Sequence, residues 1–375
     1  MSGLYLDNAA TTPVRREVLE AMAPFLTSAY GNPSSHHTVG ERAAAALDDA
    51  RRRVARVLGV RPGDIVFTSG GTEANNLAIK GIALAALQNS GARHVITSPI
   101  EHESVLASVD YLRRLHGFEV TVLPVDTDGV IDPGDLAGAV RPDTAVVSIG
   151  LANNEIGTVQ DAAALADARG SARLHLDAVQ AAGWLRLSGL GADALTLAGH
   201  KLGAPKGIGV AMIRGRIPLE PVIHGGGQQR DRRSGTENVA GAVGFAVALE
   251  LAEAEREEAA ARVAAARDAF VARVLREVPS ARLTGHPHKR LPGTASFTFA
   301  GVSGEAVLLE LERRGVISSS GSACAAGSED ASHVLTAIGV EHDLARTAVR
   351  FTLPHAWAGS LDAVAVAVAA SVAAV

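Results

Sequence analysis

Between about residues 40 and 215, short apolar runs alternate with segments of helical character, and this alternation limits the fold more than any other feature. The apolar runs have the length of single strands and cover residues 65–68, 94–97, 120–123, 145–149, 174–176 and 194–197. The helical segments cover residues 41–58, 72–87, 104–116 and 162–168. Strands that alternate with helices form a parallel sheet with helices on both faces. Ligands of such α/β sheets bind beyond the carboxyl ends of the strands, so we expect functional residues there.

A second unit is predicted in the last part of the chain. Residues 239–277 form one long helical stretch, and the order after it is strand, strand, helix, strand, loop, helix, strand, helix. A chain of 375 residues exceeds what one hydrophobic core usually supports. We therefore predict a large domain over residues 15–255 and a smaller α+β domain over residues 1–14 and 256–375.

Composition and charge argue against several classes of protein. The net charge is −5, whereas nucleic-acid-binding domains are usually basic, so we expect no direct nucleic-acid partner. No apolar run approaches the roughly 20 residues of a membrane-spanning helix, so we expect no membrane association. The single cysteine permits no intramolecular disulfide, which fits a reducing compartment, and we predict a cytoplasmic enzyme. Arg51, Arg52 and Arg53 are expected on the solvent side of a helix.

A glycine-rich turn follows the strand at residues 65–68. Gly70 and Gly71 allow the backbone to turn tightly, and a helix is predicted to begin at Thr72. Free N–H groups at the start of a helix bind phosphate. The alternative is a tight strand-to-helix turn with Thr72 as the N-cap residue, because glycine-rich turns are common.

Charged and titratable residues follow three other strands. Asp177 needs a cationic partner if it is buried, such as a protonated pyridine nitrogen, unless it caps the next helix or forms a salt bridge. Lys201 follows His200 and is the best placed of the four lysines to be a desolvated nucleophile or base, the alternative being a solvated surface lysine. His102 could stack on a flat cofactor or shuttle a proton.

Three further segments carry candidate residues. The polar, basic loop at residues 224–238 could bind an anion or contact a neighbouring subunit, or it is a mobile surface loop. Cys324 lies among small residues, which indicates an accessible, reactive thiol more than a buried hydrophobic residue. Arg350 lies in an apolar strand, where arginine usually binds a carboxylate from a substrate or from a neighbouring glutamate.

Together these segments resemble the cysteine desulfurases in the aminotransferase class V group of pyridoxal 5′-phosphate (PLP) enzymes. The resemblance covers essentially the whole chain. It rests on the ordered motifs YLDNAATTP (residues 5–13), GNPSSH (31–36), SGGTE (69–73), NNEIG (153–157), GHK (199–201), HGGGQ (224–228), RSGTEN (233–238) and GSAC (321–324), the last being similar to the NifS/IscS type. It implies the PLP-dependent aminotransferase fold type I, with a mostly parallel seven-stranded sheet in the large domain.

The resemblance implies PLP as the cofactor and no metal. Lys201 is implied to bind PLP covalently and to move the Cα proton, while Asp177 pairs with the pyridinium nitrogen, as befits a cofactor that stores carbanion electrons. His102 is implied to act on the ring by stacking, and Gln180 to bond its phenolic oxygen. The implied phosphate-binding residues are Gly71, Thr72, His200 and, from the other subunit of a homodimer, Thr236.

The substrate implied by the resemblance is L-cysteine. Asn154 and Arg350 are implied to bind its carboxylate, and the Cys324 thiolate to attack its sulfur, which leaves a persulfide and L-alanine. The implied sulfur acceptor is an iron–sulfur scaffold protein or a tRNA-thiolating enzyme. A selenocysteine lyase or another class V aminotransferase is the alternative enzyme, and an aminotransferase would not need Cys324. A non-catalytic scaffold that docks sulfur carriers is the other alternative.

The chain departs from the family pattern at two places. Ala198 stands where a serine commonly helps to hold the phosphate, so one hydrogen bond is missing or supplied otherwise, for example by Thr196. Pro354 and His355 stand where the family usually has a glycine. We expect the Pro354-His355 departure not to abolish activity.

Overall fold

The computed structural model describes residues 3–321 and 331–375, and the elements below lie within these ranges. The strands are β1 (Leu4–Tyr5), β2 (Ile65–Thr68), β3 (His94–Thr97), β4 (Glu119–Val122), β5 (Thr144–Gly150), β6 (Arg173–Asp177), β7 (Ala194–Ala198), β8 (Gly209–Ile213), β9 (Ala281–Leu283), β10 (Thr294–Phe299), β11 (Val316–Ile317) and β12 (Val349–Thr352). The helices are α1 (Arg16–Thr27), α2 (Thr38–Leu58), α3 (Gly71–Ser90), α4 (Glu103–His116), α5 (Pro133–Ala139), α6 (Ala162–Ala168), α7 (Val239–Glu277), α8 (Gly304–Arg313), α9 (His333–Ala337), α10 (His342–Ala345) and α11 (Asp362–Ala373).

The central sheet has seven strands in the order β2-β8-β7-β6-β5-β3-β4. Its neighbouring pairs are parallel except at β8, which runs antiparallel to both β2 and β7. The predicted mostly parallel, seven-stranded sheet is therefore confirmed. Strands β3, β4, β5, β6 and β7 end at the same edge of the sheet as β2. Functional residues were expected at this edge, in the turns that follow the strands.

Successive apolar side chains of a strand point to opposite faces of the sheet, and they pack into two hydrophobic cores, one on each face. Ile65 and Phe67 of β2 pack with α1, α2 and the first part of α7. Val66, between them, packs with α3 and α4 on the opposite face. The predicted covering of both faces by helices is thus observed.

The second unit contains the three-stranded sheet β12-β10-β9 and its own hydrophobic core. Phe270, Phe297 and Phe351 meet there edge to face, with ring centroids 5.3–6.3 Å apart. Helix α7 belongs to both cores, because Phe245 and Leu249 lie in the first and Val263 and Val274 in the second. The domain boundary at residue 255 stays a prediction, and it falls inside this continuous helix.

The N-terminal segment joins the second unit before it reaches the large sheet. Strand β1 pairs in parallel with β11, and Leu6 is fully buried in the second core. The backbone N–H of Ala9 then donates to Thr352 Oγ1 of β12 at 2.8 Å. Residues 9–12 continue across the end of β7, where Thr12 N donates to His200 O at 2.9 Å.

Arg51 and Arg52 were both expected on the solvent side of a helix, and only one of them is exposed. Arg51 is buried and its guanidinium donates to Asp48 and Gln229 and lies over the Phe67 ring, so its predicted solvent position is wrong. Arg52 is exposed, as expected. Within the described residues, no helix is long and apolar enough to cross a membrane.

Candidate active site

A cavity of about 790 Å³ lies at the carboxyl ends of the parallel strands. The sequence-predicted residues that line it are Gly71, Thr72, His102, Asn154, Asp177, Gln180, His200, Lys201 and Arg350. Thr236 is exposed and does not line the cavity. Cys324 lies outside the described residues. Five separate loops after strands thus converge on one site, although their residues are far apart in sequence.

Asp177 ends β6 and lies in the wall of the cavity. It is 8% exposed, and its Oδ1 accepts from Val179 N at 3.0 Å while its Oδ2 accepts from Asn75 Nδ2 at 2.7 Å. Both donors are neutral, so they orient the carboxylate without neutralising it. A cationic ring nitrogen is the kind of partner that would complete such a buried carboxylate.

Lys201 follows β7 in a short 3₁₀ turn that spans Gly199–Lys201. Its Nζ donates to Ala10 O at 2.8 Å and also to Ala9 O, so the N-terminal segment orients the amine. Gln180 Nε2 donates to the same Ala9 oxygen at 3.0 Å. Burial, followed by the charges of Lys201 and Lys206, lowers the pKa of His200 to about 4, so His200 is a neutral hydrogen-bonding group at neutral pH.

The turn before α3 presents the start of that helix to the cavity. The N-cap residue is Gly70, which is in extended backbone and has no side chain with which to cap the helix, so Thr72 is not the N-cap residue. A Cβ on Gly71 would lie 2.9 Å from Val179 Cγ2 and 3.3 Å from Ala198 Cβ, so only glycine fits without a shift. The uncapped N–H groups of this 20-residue helix fit a phosphate.

Thr196 does not replace the hydroxyl missing at Ala198. Thr196 is fully buried, and its Oγ1 bonds Asn75 Oδ1 at 2.5 Å and His175 Nε2 at 3.1 Å. Ala198 lines the cavity, whereas Thr196 does not. The suggestion that Thr196 supplies a phosphate hydrogen bond is therefore wrong.

Arg350 lies at the other end of the site with only 1% of its surface exposed. Its Nη1 donates to Asn154 O at 2.8 Å and to Gly321 O at 2.9 Å, and its Nη2 pairs with Asp7 Oδ1 at 2.6 Å. The protein carboxylate beside it is thus Asp7, and not a glutamate. Nε has no hydrogen-bond partner among the described residues, which leaves donor capacity for a further carboxylate.

Glu101 is a lining residue that the sequence analysis missed. It is 3% exposed, and Ser98 Oγ donates to its Oε1 at 2.6 Å. Burial, and next the charge of Asp177, raises the pKa of Glu101 to about 8. No pattern in the sequence marks this residue, because a glutamate before a helix ordinarily lies at the surface.

The mostly parallel sheet, the lysine in the turn after β7 and the carboxylate at the end of β6 together define an α/β enzyme site of the aminotransferase type. The family model described as aminotransferase class-V matches residues 4–355, and the chain belongs to this family.

Relatives and solved structures with similar sequences carry more specific names. A protein of Dictyoglomus turgidum named cysteine desulfurase IscS is 46% identical over 93% of this chain and 89% of its own. One of the same name from Methanosarcina thermophila is 45% identical over 93% and 87%. A structure named NifS-like protein superposes with a TM-score of 0.90 at 36% identity over 99% of both chains. A structure titled SspA in complex with cysteine gives a TM-score of 0.82 at 36% identity over 93% of this chain and 98% of that chain.

Proposed function

We propose that the chain is a PLP-dependent cysteine desulfurase that transfers sulfur from L-cysteine to its own Cys324 and releases L-alanine. The observation that carries this proposal is the cavity that combines Lys201, Asp177, His102 and the start of α3 at one end with Asn154 and Arg350 at the other. The names of the similar relatives support the same activity.

The cofactor would be held by groups whose chemistry suits each of its parts. The N–H groups at Gly71 and Thr72 and the neutral imidazole of His200 suit its phosphate, with Thr236 supplied by a second copy of the chain. Asp177 suits the ring nitrogen, His102 the ring face and Gln180 the phenolic oxygen. When bound covalently to Lys201, PLP supplies a store for the electron pair released at the substrate Cα.

Different protein groups then act on the carboxylate, the Cα hydrogen and the sulfur of the substrate. Arg350 and Asn154 hold the carboxylate, which places the Cα hydrogen near the Lys201 amine that moves it. The Cys324 thiolate attacks the substrate sulfur, so that an S–S bond forms while the Cβ–S bond breaks. Protonation of the remaining carbon skeleton gives L-alanine, and the sulfur stays on Cys324 as a persulfide.

The residues that flank segment 322–330 support delivery of Cys324 to this cavity. Before the segment, Gly321 O accepts from Arg350 Nη1 at 2.9 Å. After it, Ser332 lines the cavity and its Oγ donates to Glu155 Oε2 at 2.5 Å. The residues that flank the segment on both sides therefore lie at the substrate end of the cavity.

The proposal extends to partners and location. The sulfur acceptor is an iron–sulfur scaffold protein or a tRNA-thiolating enzyme, and the enzyme acts as a cytoplasmic homodimer. The exposed position of Thr236, outside the lining of its own chain's cavity, leaves it available to a second copy of the chain and so supports the dimer.

The test measures L-alanine and sulfide released from L-cysteine in the presence of a reductant, for wild type, Cys324→Ala and Cys324→Ser. We expect wild type to release both products and neither variant to do so, while all three keep the yellow colour of bound PLP. Equal turnover by the three proteins would indicate another class V activity. A wild type without PLP would indicate the scaffold, and a preference for L-selenocysteine would indicate the lyase.

A further inference from the structure

A buried row of polar side chains lies behind Asp177. Ser148 Oγ is 2.8 Å from His175 Nδ1, His175 Nε2 is 3.1 Å from Thr196 Oγ1, and Thr196 Oγ1 is 2.5 Å from Asn75 Oδ1. All four residues are at most 1% exposed. Buried polar groups are tolerated only when each has a hydrogen-bond partner, so four such residues in the core must form a connected network.

The direction of every hydrogen bond in this row follows from Asp177. An ionised carboxylate only accepts, so the Asn75 amide must present its nitrogen to Asp177 and its oxygen to Thr196. Thr196 then donates to Asn75, and His175 donates to Thr196 from Nε2. Ser148 consequently donates to His175 Nδ1. Burial lowers the pKa of His175 to about 4, which agrees with a neutral imidazole in this row.

A second arm leads from the same amide to His102. Asn75 Nδ2 also donates to Ser104 Oγ at 2.9 Å, so the Ser104 hydroxyl proton is available for His102 Nδ1 at 2.8 Å. The backbone N–H of Ser104 donates to the same ring nitrogen at 3.0 Å. With Nδ1 accepting from two donors, neutral His102 carries its proton on Nε2.

We propose that Asn75 is a positioning residue whose single amide orients Asp177 directly and His102 through Ser104, so that both face the cofactor ring together. This inference rests on the proposed function, because it assigns these two residues to PLP. Asn75 itself lines the cavity but acts through its neighbours. Its place one helical turn after Gly71 couples the start of α3, which suits the phosphate, to the groups that suit the ring.

The experiment compares three variants as full-length protein from which PLP is removed and then restored. Asn75→Leu removes both arms, and Ser104→Ala removes only the arm to His102. Ser108→Ala is the matched control, since Ser108 is a buried serine one turn along α4 whose hydroxyl donates to Ser104 O and takes no part in the row. The readouts are the dissociation constant of PLP, the circular dichroism band of bound PLP, and kcat and KM for L-cysteine.

We expect Asn75→Leu to weaken PLP binding by roughly tenfold and to reduce the dichroism band, because a buried carboxylate loses one of its donors. Ser104→Ala should bind PLP within about twofold of wild type, and its kcat should fall several-fold at unchanged KM. Ser108→Ala should match wild type in all readouts.

A purely structural Asn75 would lower only the thermal midpoint of Asn75→Leu, with PLP affinity and dichroism as in wild type, and that result would overturn the proposal. If Asn75→Leu does not fold, a wild-type kcat for Ser104→Ala would overturn it. Wild type that binds PLP but makes no alanine would refute the desulfurase reaction alone, whereas wild type that binds no PLP would overturn both.

Discussion

Asp7 Oδ1 and Arg350 Nη2 form a 2.6 Å ion pair that joins the N-terminal segment to β12 at the substrate end of the cavity. Because the Arg350 side chain is 2% exposed and that of Asp7 is 19% exposed, the pair is largely shielded from solvent. The remaining acceptors of Arg350 are the backbone oxygens of Asn154 and Gly321, which carry no full charge. Asp7 is thus the anion beside this buried cation among the described residues.

Asp7→Asn should therefore destabilise the protein. It leaves the buried guanidinium beside a neutral amide, and removal of one member of a buried pair costs on the order of 3 kcal/mol. Chemical denaturation of the PLP-free protein measures the free energy of unfolding. The same substitution in an Arg350→Leu background is the control, and there it should cost far less. An equal cost in both backgrounds would show that Asp7 acts independently of Arg350.

Glu101→Gln should change how stability depends on pH. Glu101 has a pKa of about 8 in the folded protein and an ordinary value of 4.5 when unfolded, so between these values only the folded state keeps the proton. The contribution of Glu101 to stability is therefore present at low pH and is lost as pH rises through this window. Unfolding of Glu101→Gln and wild type at pH 5 and pH 8.5 should show a stability gain for the variant only at the higher pH.

Glu103→Gln is the control for this prediction, because Glu103 is exposed on the same segment. It should follow wild type at both pH values. If Glu101→Gln also follows wild type, Glu101 is ionised in the fold across the whole range, and the account of its burial is incorrect.

His355→Leu should make the stability of the protein depend less on pH below neutrality. Neither ring nitrogen of His355 has a hydrogen-bond partner among the described residues, and burial lowers its pKa from 6.5 to about 4. Between these values the unfolded chain binds a proton that the folded protein does not, so stability falls as pH drops from 6.5 towards 4. The variant should lose less stability than wild type between pH 7 and pH 5, as measured by thermal unfolding.

The exposed His288 supplies the comparison, since His288→Leu should lose as much stability as wild type over the same interval. Desulfurase activity should survive in His355→Leu, because His355 does not line the cavity that contains Asp177 and Arg350 and instead packs on Trp184 at a ring distance of 3.9 Å. Loss of activity with retained PLP would instead assign His355 a part in the reaction.

Gly71→Ala should weaken PLP binding by roughly tenfold, equivalent to about 1.4 kcal/mol. The added Cβ would meet Val179 Cγ2 at 2.9 Å, so either Val179 or the first turn of α3 must shift, and both line the cavity. Gly70→Ala is a close control, because a Cβ there meets nothing within 4 Å and the backbone is extended. Titration of the PLP-free proteins with PLP measures both, and similar affinities for the two variants would exclude this role of Gly71.

The sequence predicted the large sheet well because strand-length apolar runs are local signals. Strand β8 was not predicted, although residues 209–213 are apolar, because no helix separates it from β7 and the alternation pattern skips it. Its antiparallel course depends on pairing with both β2 and β7, which is a property of the folded sheet. The expectation that ligands bind beyond the carboxyl ends of parallel strands nevertheless identified the edge of the sheet at which the cavity lies.

Residues that act through other residues could not be found in this way. Asn75, Glu101 and His175 look like ordinary polar residues in the sequence, and only the tertiary fold buries them beside Asp177. Arg51 was misplaced for the same reason, since its partner Gln229 is 178 residues away. Motifs located the groups that would touch the cofactor, and the fold was needed to find the groups behind them.

Helix α7 has a consequence for how the protein unfolds. Its 39 residues span roughly 58 Å at the usual rise per residue. The two hydrophobic cores share this one element, so neither core can melt without releasing helical residues that the other core needs at its border. Heat or denaturant should therefore act on the two units as a single cooperative body, and a break in the middle of α7 should separate one transition into two.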